Sequence, residues 1–148
     1  MNSMLVIGHR GAAGLAPENT VEAIQAGIDA GADIIEFDIR LTRDNVMVLV
    51  HDFHTLRTHH KASIISRKTF DELVAMSKDL FEVTRLEDVL DSYFGVVLLN
   101  IELKSRSSGE QLVTLLKRNY IKKVADWDNV IISSFKVGEL LRIRRLAK

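Results

Sequence analysis

The segment IIEFDIRLTRDNVMVLVH, residues 34–51, decides the fold of this chain. It contains two short apolar runs, Ile34–Phe37 and Val46–Val50, that show little polar alternation. Such runs are typical of strands buried on both faces, as in a parallel sheet covered by helices. Only a turn at Thr42–Asn45 separates the second run from the end of the first strand. That gap is too short for a crossover helix, so the alternation of strand and helix is irregular here.

Three further apolar runs of the same kind flank this segment, and helical patterns lie between them. The runs are Leu5–Gly8, Val96–Ile101 and Val130–Ile132. The predicted helices are one from near Thr20 to around Gly31, then Phe70–Met76, Leu86–Tyr93, Gly109–Tyr120 and Val137–Leu146. Strands that alternate with helices predict an α/β fold.

Three helix starts are indicated by capping boxes. In this motif one side chain accepts a hydrogen bond from a helix N–H, and a glutamate three residues later reaches back to the first backbone N–H. The pairs that fit are Asn19 with Glu22, Thr69 with Glu72, and Thr84 with Glu87.

Chemically active side chains follow apolar ones at four predicted strand ends. Residues two apart in a strand share a face, so each of the following sets lies on one side of the sheet. The sets are Leu5, Ile7 and His9; Ile34, Glu36 and Asp38; Met47, Leu49 and His51; and Leu98, Asn100, Glu102 and Lys104. In α/β sheets and barrels, functional sites form at the carboxyl ends of the strands, so we expect these side chains to meet there.

The residue types that would meet indicate cleavage of a phosphate ester. Three carboxylates, Glu36, Asp38 and Glu102, would lie together, which is unfavourable unless a hard divalent cation such as Mg²⁺ or Ca²⁺ joins them. Two cations that could bind phosphate and two histidines that can exchange protons near neutral pH accompany them. These are Arg10, Lys104, His9 and His51.

Each of these residues also has an ordinary structural interpretation. Glu36 and Asp38 alone could belong to a strand that runs out into solvent, and Glu102 with Lys104 could form a surface ion pair of little energetic value. His51 alone could simply begin a loop. Their shared placement at the strand ends favours a functional site.

Composition limits the classes of function. The chain has 148 residues, 47% of them hydrophobic, which suits one domain with a real core. Lys and Arg total 20 and Asp and Glu total 20, so nothing indicates nucleic acid or an anionic membrane as a partner. No cysteine is present, no signal-peptide pattern opens the chain and no run is long enough to span a membrane. We therefore expect a cytoplasmic protein.

Six motifs resemble those of the glycerophosphodiester phosphodiesterases. In order they are His9-Arg10-Gly11, Ala16-Pro17-Glu18-Asn19-Thr20, Glu36-x-Asp38, Thr42-x-Asp44, His51-Asp52 and Asn100-Ile101-Glu102-Leu103-Lys104. Their order and spacing cover nearly the first hundred residues, and the combination is highly specific.

The resemblance implies a (β/α)₈ TIM barrel that hydrolyses glycerophosphodiesters to glycerol 3-phosphate and an alcohol. It implies that His9 and His51 form the acid–base pair and that Glu36, Asp38 and Glu102 bind the metal. It also places Arg10 and Lys104 on the phosphate. The implied route is attack on phosphorus by the glycerol hydroxyl, followed by opening of the cyclic phosphate by water.

The sequence departs from the family pattern in three respects. After His51-Asp52 the run Leu56-Arg57-Thr58-His59-His60 lacks the family's usual glycine, and Thr84-Arg85 replaces the usual Pro-Thr. A (β/α)₈ barrel takes about 250 residues, whereas this chain has 148 and five predicted strands. We therefore expect residues 1–148 to form a partial TIM-barrel domain with open edges, which favour a homo-oligomer. The alternative is an inactive remnant or assembly piece that retains the site residues.

Overall fold

A computed structural model describes residues 4–55, 63–77 and 82–147. Its strands are β1 (Ile7–Gly8), β2 (Ile34–Leu41), β3 (Met47–Leu49), β4 (Leu98–Leu103) and β5 (Val130–Ser133). Its α-helices are α1 (Val21–Asp29), α2 (Phe70–Ser77), α3 (Leu86–Tyr93), α4 (Ser108–Asn119) and α5 (Val137–Leu146). Two 3₁₀ turns cover Ile65–Arg67 and Val124–Asn129. The predicted elements are thus confirmed, with shifts of a few residues at their ends.

The sheet consists of four parallel strands in the order β1-β2-β4-β5, with β3 attached antiparallel to β2. The register between β2 and β3 pairs Leu41 with Met47 and Ile39 with Leu49. The short turn predicted from the sequence therefore forms a hairpin. Because β3 runs against its neighbours, its carboxyl end does not lie at the edge of the sheet where the parallel strands end. The inclusion of β3 in the strand-end rule was wrong.

The hairpin nevertheless brings the residues after β3 back to the level of the acidic side chains. The backbone N–H of Val50 donates to the carbonyl oxygen of Asp38 at 3.0 Å. Met47 and Leu49 pack into the main core, whereas Val48 and Val50 belong to a second cluster with Ile65 and Leu73. His51 follows directly at this level of the sheet.

The two faces of β2 differ in chemistry. Ile35, Phe37 and Ile39 are fully buried and pack into the main core. Glu36 and Asp38 occupy the opposite face and are also buried, at 6% and 1% exposure. Burial on both faces explains why the run reads as a strand of a helix-covered sheet while carrying two carboxylates.

One of the three predicted capping boxes is confirmed. At α2, the backbone N–H of Thr69 donates to Glu72 Oε2 at 2.8 Å, and the backbone N–H of Glu72 donates to Thr69 Oγ1 at 3.2 Å. The N-cap of α1 is Thr20, whose hydroxyl accepts from the Ala23 N–H, so the assignment to Asn19 was wrong. The N-cap of α3 is Arg85, which makes no side-chain capping bond, so the box at Thr84 was also wrong.

Both edges of the sheet expose apolar side chains. On β1 and the residues before it, Val6 is 53% and Ile7 is 52% exposed, and on β5 Ile131 is 41% exposed. The sheet is thus an open arc within the described residues. Among the residues with a described structure, no helix is long and apolar enough to cross a membrane.

Candidate active site

Three carboxylates from two adjacent strands converge on one face of the sheet. The parallel register of β2 and β4 places Asp38 beside Glu102 and Glu36 beside Asn100. One oxygen from each of Glu36, Asp38 and Glu102 lies within 4.8 Å of the others. The structure therefore brings together the three residues whose spacing predicted an acidic cluster.

Glu36 is the member of the cluster that forms no ion pair with an arginine or lysine side chain among the described residues. Its Oε2 accepts the backbone N–H of Arg10 at 2.8 Å, while its buried Oε1 has no hydrogen-bond partner among the described residues. Burial raises the pKa of the Glu36 carboxyl, and the charges of Asp38 and Glu102 add to the rise, against the Arg10 N–H and His9. A buried oxygen without a donor is costly, which indicates that the site suits a positively charged ligand.

Asp38 is held in place by Asn19. The Asn19 Nδ2 donates to Asp38 Oδ2 at 3.1 Å, and the Asp38 backbone N–H donates to Asn19 Oδ1 at 3.0 Å. Asn19 adopts a left-handed backbone conformation, with φ of 58°, that positions its amide for both bonds. This tertiary contact is the physical reason that Thr20, and not Asn19, caps α1.

Two cations border the carboxylates. Lys104 Nζ lies 2.6 Å from Glu102 Oε1 and 3.1 Å from Asp38 Oδ1, the latter outside hydrogen-bond geometry. Burial acts to lower the pKa of Lys104, but its contacts with Glu102 and Asp38 outweigh burial and raise the pKa. Arg10 Nη1 donates to Glu18 at 3.0 Å, and its Nε lies 3.7 Å from Asp38 Oδ2. The buried Arg10 Nε has no hydrogen-bond partner among the described residues.

The two histidines occupy different positions relative to the cluster. His9 Nε2 lies 3.8 Å from Glu36 Oε2, and its side chain is 69% exposed. His51 Nδ1 lies 2.9 Å from Asp52 Oδ1. The Arg40 guanidinium donates twice to the His51 carbonyl oxygen, from Nε at 3.0 Å and from Nη2 at 2.6 Å. Arg40 lies two residues beyond Asp38 on the same face of β2, so it ties the His51 backbone to the strand that carries two carboxylates.

Sequence reasoning missed two of these supporting residues. Asn19 looked like a helix cap, and its unused signal was the adjacent Thr20, which could cap the helix by itself. Arg40 gave no signal, because its acceptor is a backbone oxygen that only the hairpin brings near.

The donor set fits a hard divalent cation. All three candidate ligands are carboxylates, the ligand type that Mg²⁺ and Ca²⁺ prefer. Glu36 Oε1 is buried and without a donor among the described residues, so a cation there would satisfy it.

Two other aromatic side chains, His54 and Trp127, make their contacts outside this cluster. His54 stacks edge-on against Phe53 and bridges to Ile64. Trp127 lines a cavity of about 500 Å³ between β5 and α5, on the helix side of the sheet. His59, His60 and the departure at Leu56–His60 lie outside the described residues.

Comparisons with known proteins agree on one family. Residues 9–148 match the sequence model described as the glycerophosphoryl diester phosphodiesterase family. The chain is 30% identical over 155 residues to a glycerophosphodiester phosphodiesterase of Caldanaerobacter subterraneus subsp. tengcongensis, a match that covers 97% of this chain and 63% of the relative.

Solved structures give the same result for the fold. The glycerophosphodiester phosphodiesterase of Thermotoga maritima superposes with a TM-score of 0.83 at 28% identity, over 98% of this chain and 60% of that one. An Oleispira antarctica phosphodiesterase has been solved in complex with the product sn-glycerol-3-phosphate. It superposes with a TM-score of 0.75 at 25% identity, over 97% of this chain and 62% of that one. These matches confirm the predicted TIM-barrel fold class, and the chain spans about three fifths of the length of these relatives.

Proposed function

This chain belongs to the glycerophosphoryl diester phosphodiesterase family, and on that premise we propose that it hydrolyses glycerophosphodiesters to glycerol 3-phosphate and an alcohol. The observation that carries the proposal is the buried Glu36 oxygen without a donor among the described residues, inside a cluster of three carboxylates bordered by two cations. Such an arrangement is poorly suited to stabilising the fold and well suited to holding a cation and a phosphate.

Glu36, Asp38 and Glu102 would hold the cation, Mg²⁺ or Ca²⁺. When bound, the cation would stabilise negative charge on the phosphate oxygens during substitution at phosphorus. Asn19 contributes by fixing the orientation of the Asp38 carboxylate through the bond to Oδ2.

Arg10 and Lys104 would bind the phosphate. The buried Arg10 Nε, 3.7 Å from Asp38 and without a hydrogen-bond partner among the described residues, is a donor available to a phosphate oxygen. The Lys104 ammonium, 15% exposed beside Glu102, supplies a second fixed positive charge at the same place. Both cations would stabilise charge that grows on the non-bridging oxygens.

His9 and His51 would serve as the acid–base pair. In the first step one histidine accepts the proton of a glycerol hydroxyl while that oxygen bonds to phosphorus, and the other donates a proton to the departing alcohol oxygen. The product of that step is a five-membered cyclic phosphate. In the second step the roles reverse, since water loses a proton, attacks phosphorus and breaks the ring to give glycerol 3-phosphate.

This assignment of the histidines can be tested by following glycerophosphoglycerol, whose alcohol is uncharged, with ³¹P NMR. We expect His9→Ala and His51→Ala each to lower the rate about 10²- to 10⁴-fold, with far-ultraviolet circular dichroism unchanged. His54→Ala, which changes a histidine outside the cluster, is the matched control and should retain the rate. Equal losses in all three variants would contradict the roles of His9 and His51.

A second candidate is a non-catalytic assembly piece that retains the site residues. The open sheet edges favour it, because a complete mouth of a TIM barrel is formed by loops after eight strands. A folded protein that binds Ca²⁺ and is stabilised by it, without turnover of any glycerophosphodiester, would identify this second function.

We further propose that residues 1–148 act as one partial TIM-barrel domain and that two copies associate through the sheet edges. Each copy supplies four parallel strands, β1, β2, β4 and β5, with exposed apolar residues on both outer strands. A twofold axis along the strands would pair β5 of each copy with β1 of the other, giving the eight parallel strands of a closed barrel. A monodisperse monomer in light scattering would contradict this association. The cytoplasmic location stays a prediction from the sequence.

A further inference from the structure

Three basic side chains surround a depression beside the carboxylate cluster. Arg106, Lys136 and Arg142 line it together with Gly138 and Glu139, and its volume is about 360 Å³. It adjoins the candidate active site through the backbone, since the Lys136 ammonium donates to the Lys104 carbonyl oxygen. The depression thus begins next to a residue that contacts Asp38 and Glu102.

The acidic residue of this depression is engaged elsewhere. Glu139 Oε1 accepts the backbone N–H of Ser107 at 2.9 Å, and Oε2 accepts the backbone N–H of Gly109 at 3.3 Å. Both acceptors are therefore used at the start of α4. Arg142 Nη1 lies 3.6 Å from Glu110 Oε2, at the side of the depression.

The other two cations, Arg106 and Lys136, have no carboxylate ion-pair partner in the described part of the chain. Partial burial lowers the pKa of Lys136, and the positive charges of Arg40, Arg106 and Lys104 add to the decrease against the opposing charge of Glu139. The lining of the depression therefore carries a net positive charge, with three cations against the Glu139 carboxylate.

We propose that this depression is an anion subsite for the alcohol half of the substrate. The favoured substrates are then glycerophosphodiesters whose alcohol carries a second phosphate or a carboxylate. This proposal rests on the proposed function for its substrate class, and on the charges of Arg106 and Lys136 for the binding of an anion. An Arg guanidinium and a Lys ammonium that face the same space are the usual ligands of a phosphate or carboxylate group. An alcohol with a positive charge, such as choline, would be disfavoured at the same place.

The anion subsite can be tested without turnover. With chelator present, inorganic phosphate is titrated into the ¹⁵N-labelled chain, and amide shifts are followed by NMR. We expect shifts at Arg106, Lys136 and Gly138, and an affinity that falls about two- to fivefold in Arg106→Gln and in Lys136→Gln. The matched control is Arg144→Gln. It removes the same charge about 12 Å from Lys136 along the axis of α5 and should change the affinity less. Absence of these shifts, or an equal loss of affinity in the control, overturns the proposal. Phosphate that binds only elsewhere on the chain, as an adventitious ion only, overturns it as well.

The substrate class is tested with a pair of substrates that differ by one phosphate. Glycerophosphoinositol and glycerophosphoinositol 4-phosphate are compared by kcat/KM in the presence of Ca²⁺. We expect the phosphorylated substrate to be preferred and Arg106→Gln to reduce that preference about two- to fivefold. An unchanged preference in the variant overturns the substrate assignment. Failure to hydrolyse either substrate contradicts the proposed function instead, and the phosphate titration then still decides whether the anion subsite exists.

Discussion

Replacing Glu36 by glutamine should stabilise the protein in the absence of metal and abolish its stabilisation by divalent cations. Oxygens of Glu36, Asp38 and Glu102 lie within 4.8 Å of one another. At an effective dielectric constant of about 20, two unit charges at that distance repel by about 3.5 kcal/mol. Glu36 takes part in two such pairs. Lys104 and Arg10 offset much of this repulsion, so we expect a net gain of about 1–2 kcal/mol when the charge is removed.

For a chain of this size, 1 kcal/mol corresponds to a change in Tm of about 2–4 °C, so Glu36→Gln should melt about 2–8 °C higher in chelator. The glutamine carbonyl oxygen can still accept the Arg10 N–H, so that backbone donor keeps its acceptor. Wild-type protein at a Ca²⁺ concentration about 100-fold above Kd should gain about 2.7 kcal/mol, a gain that the variant should lose. The order of stability should therefore reverse when calcium replaces chelator.

Differential scanning calorimetry with chelator and with Ca²⁺ measures both effects. The matched control is Glu82→Gln, which removes one carboxylate from an exposed position outside the cluster. A Glu36→Gln protein that is less stable than wild type in chelator, and that Ca²⁺ still stabilises to the wild-type extent, would contradict both the repulsion among the three carboxylates and the binding of the cation by Glu36.

Three further perturbations test the same contacts. In chelator, the contribution of Glu36 to stability should fall as pH rises from 4.5, its ordinary pKa, through its raised pKa in the folded protein, because the folded state binds the extra proton there. Urea unfolding across this range should show a fall in the free energy of unfolding of wild type relative to Glu36→Gln. Asn19→Ala should lower the free energy of unfolding by about 2–4 kcal/mol in the same assay, since it removes both hydrogen bonds to Asp38 and leaves a buried N–H without an acceptor. A loss below about 0.5 kcal/mol would contradict the role of Asn19 in holding Asp38. Thr69→Val should lower the free energy of unfolding by about 1 kcal/mol, because it removes the helix cap. Thr84→Val should be neutral or stabilising, because the buried Thr84 hydroxyl has no partner among the described residues. Equal losses in the two variants would contradict the capping assignment.

The strand that carries the carboxylates could be predicted because its two faces are both buried. Alternation within residues 34–38 separated Ile35 and Phe37, which pack into the core, from Glu36 and Asp38 on the opposite face. The same rule worked for Glu102, which the parallel register places beside Asp38. Local periodicity and the common direction of these strands were sufficient there.

The rule failed at β3 because it assumed a strand direction that periodicity does not encode. Met47 and Leu49 pack into the main core, and His51 reaches the level of the carboxylates because the hairpin turns back, as the bond from Val50 to Asp38 shows. The strand direction assumed for β3 was therefore wrong, and the place of the His51 side chain in the site stays a prediction. Only the pairing of β2 with β3 distinguishes the two cases.

Long-range hydrogen bonds determine the N-cap of α1 and the role of Arg40, which local spacing could not predict. Asn19 and Thr20 are both good caps, and the choice between them is made by Asp38, nineteen residues away from Asn19. Arg40 likewise acquires its role from the His51 carbonyl oxygen, eleven residues further along the chain. Neither partner can be identified from local spacing.

The initial rate at which the chain releases glycerol 3-phosphate from glycerophosphoglycerol tests the proposed function most directly. The rate is measured with Ca²⁺ or Mg²⁺, with chelator, and for a Glu36→Ala protein prepared in parallel. We expect release that requires the cation and that is lost both in chelator and in the variant, because the buried carboxylates must hold the cation that stabilises the phosphate. An equal rate in chelator, or no release by a folded protein that binds the cation, would contradict the proposed function.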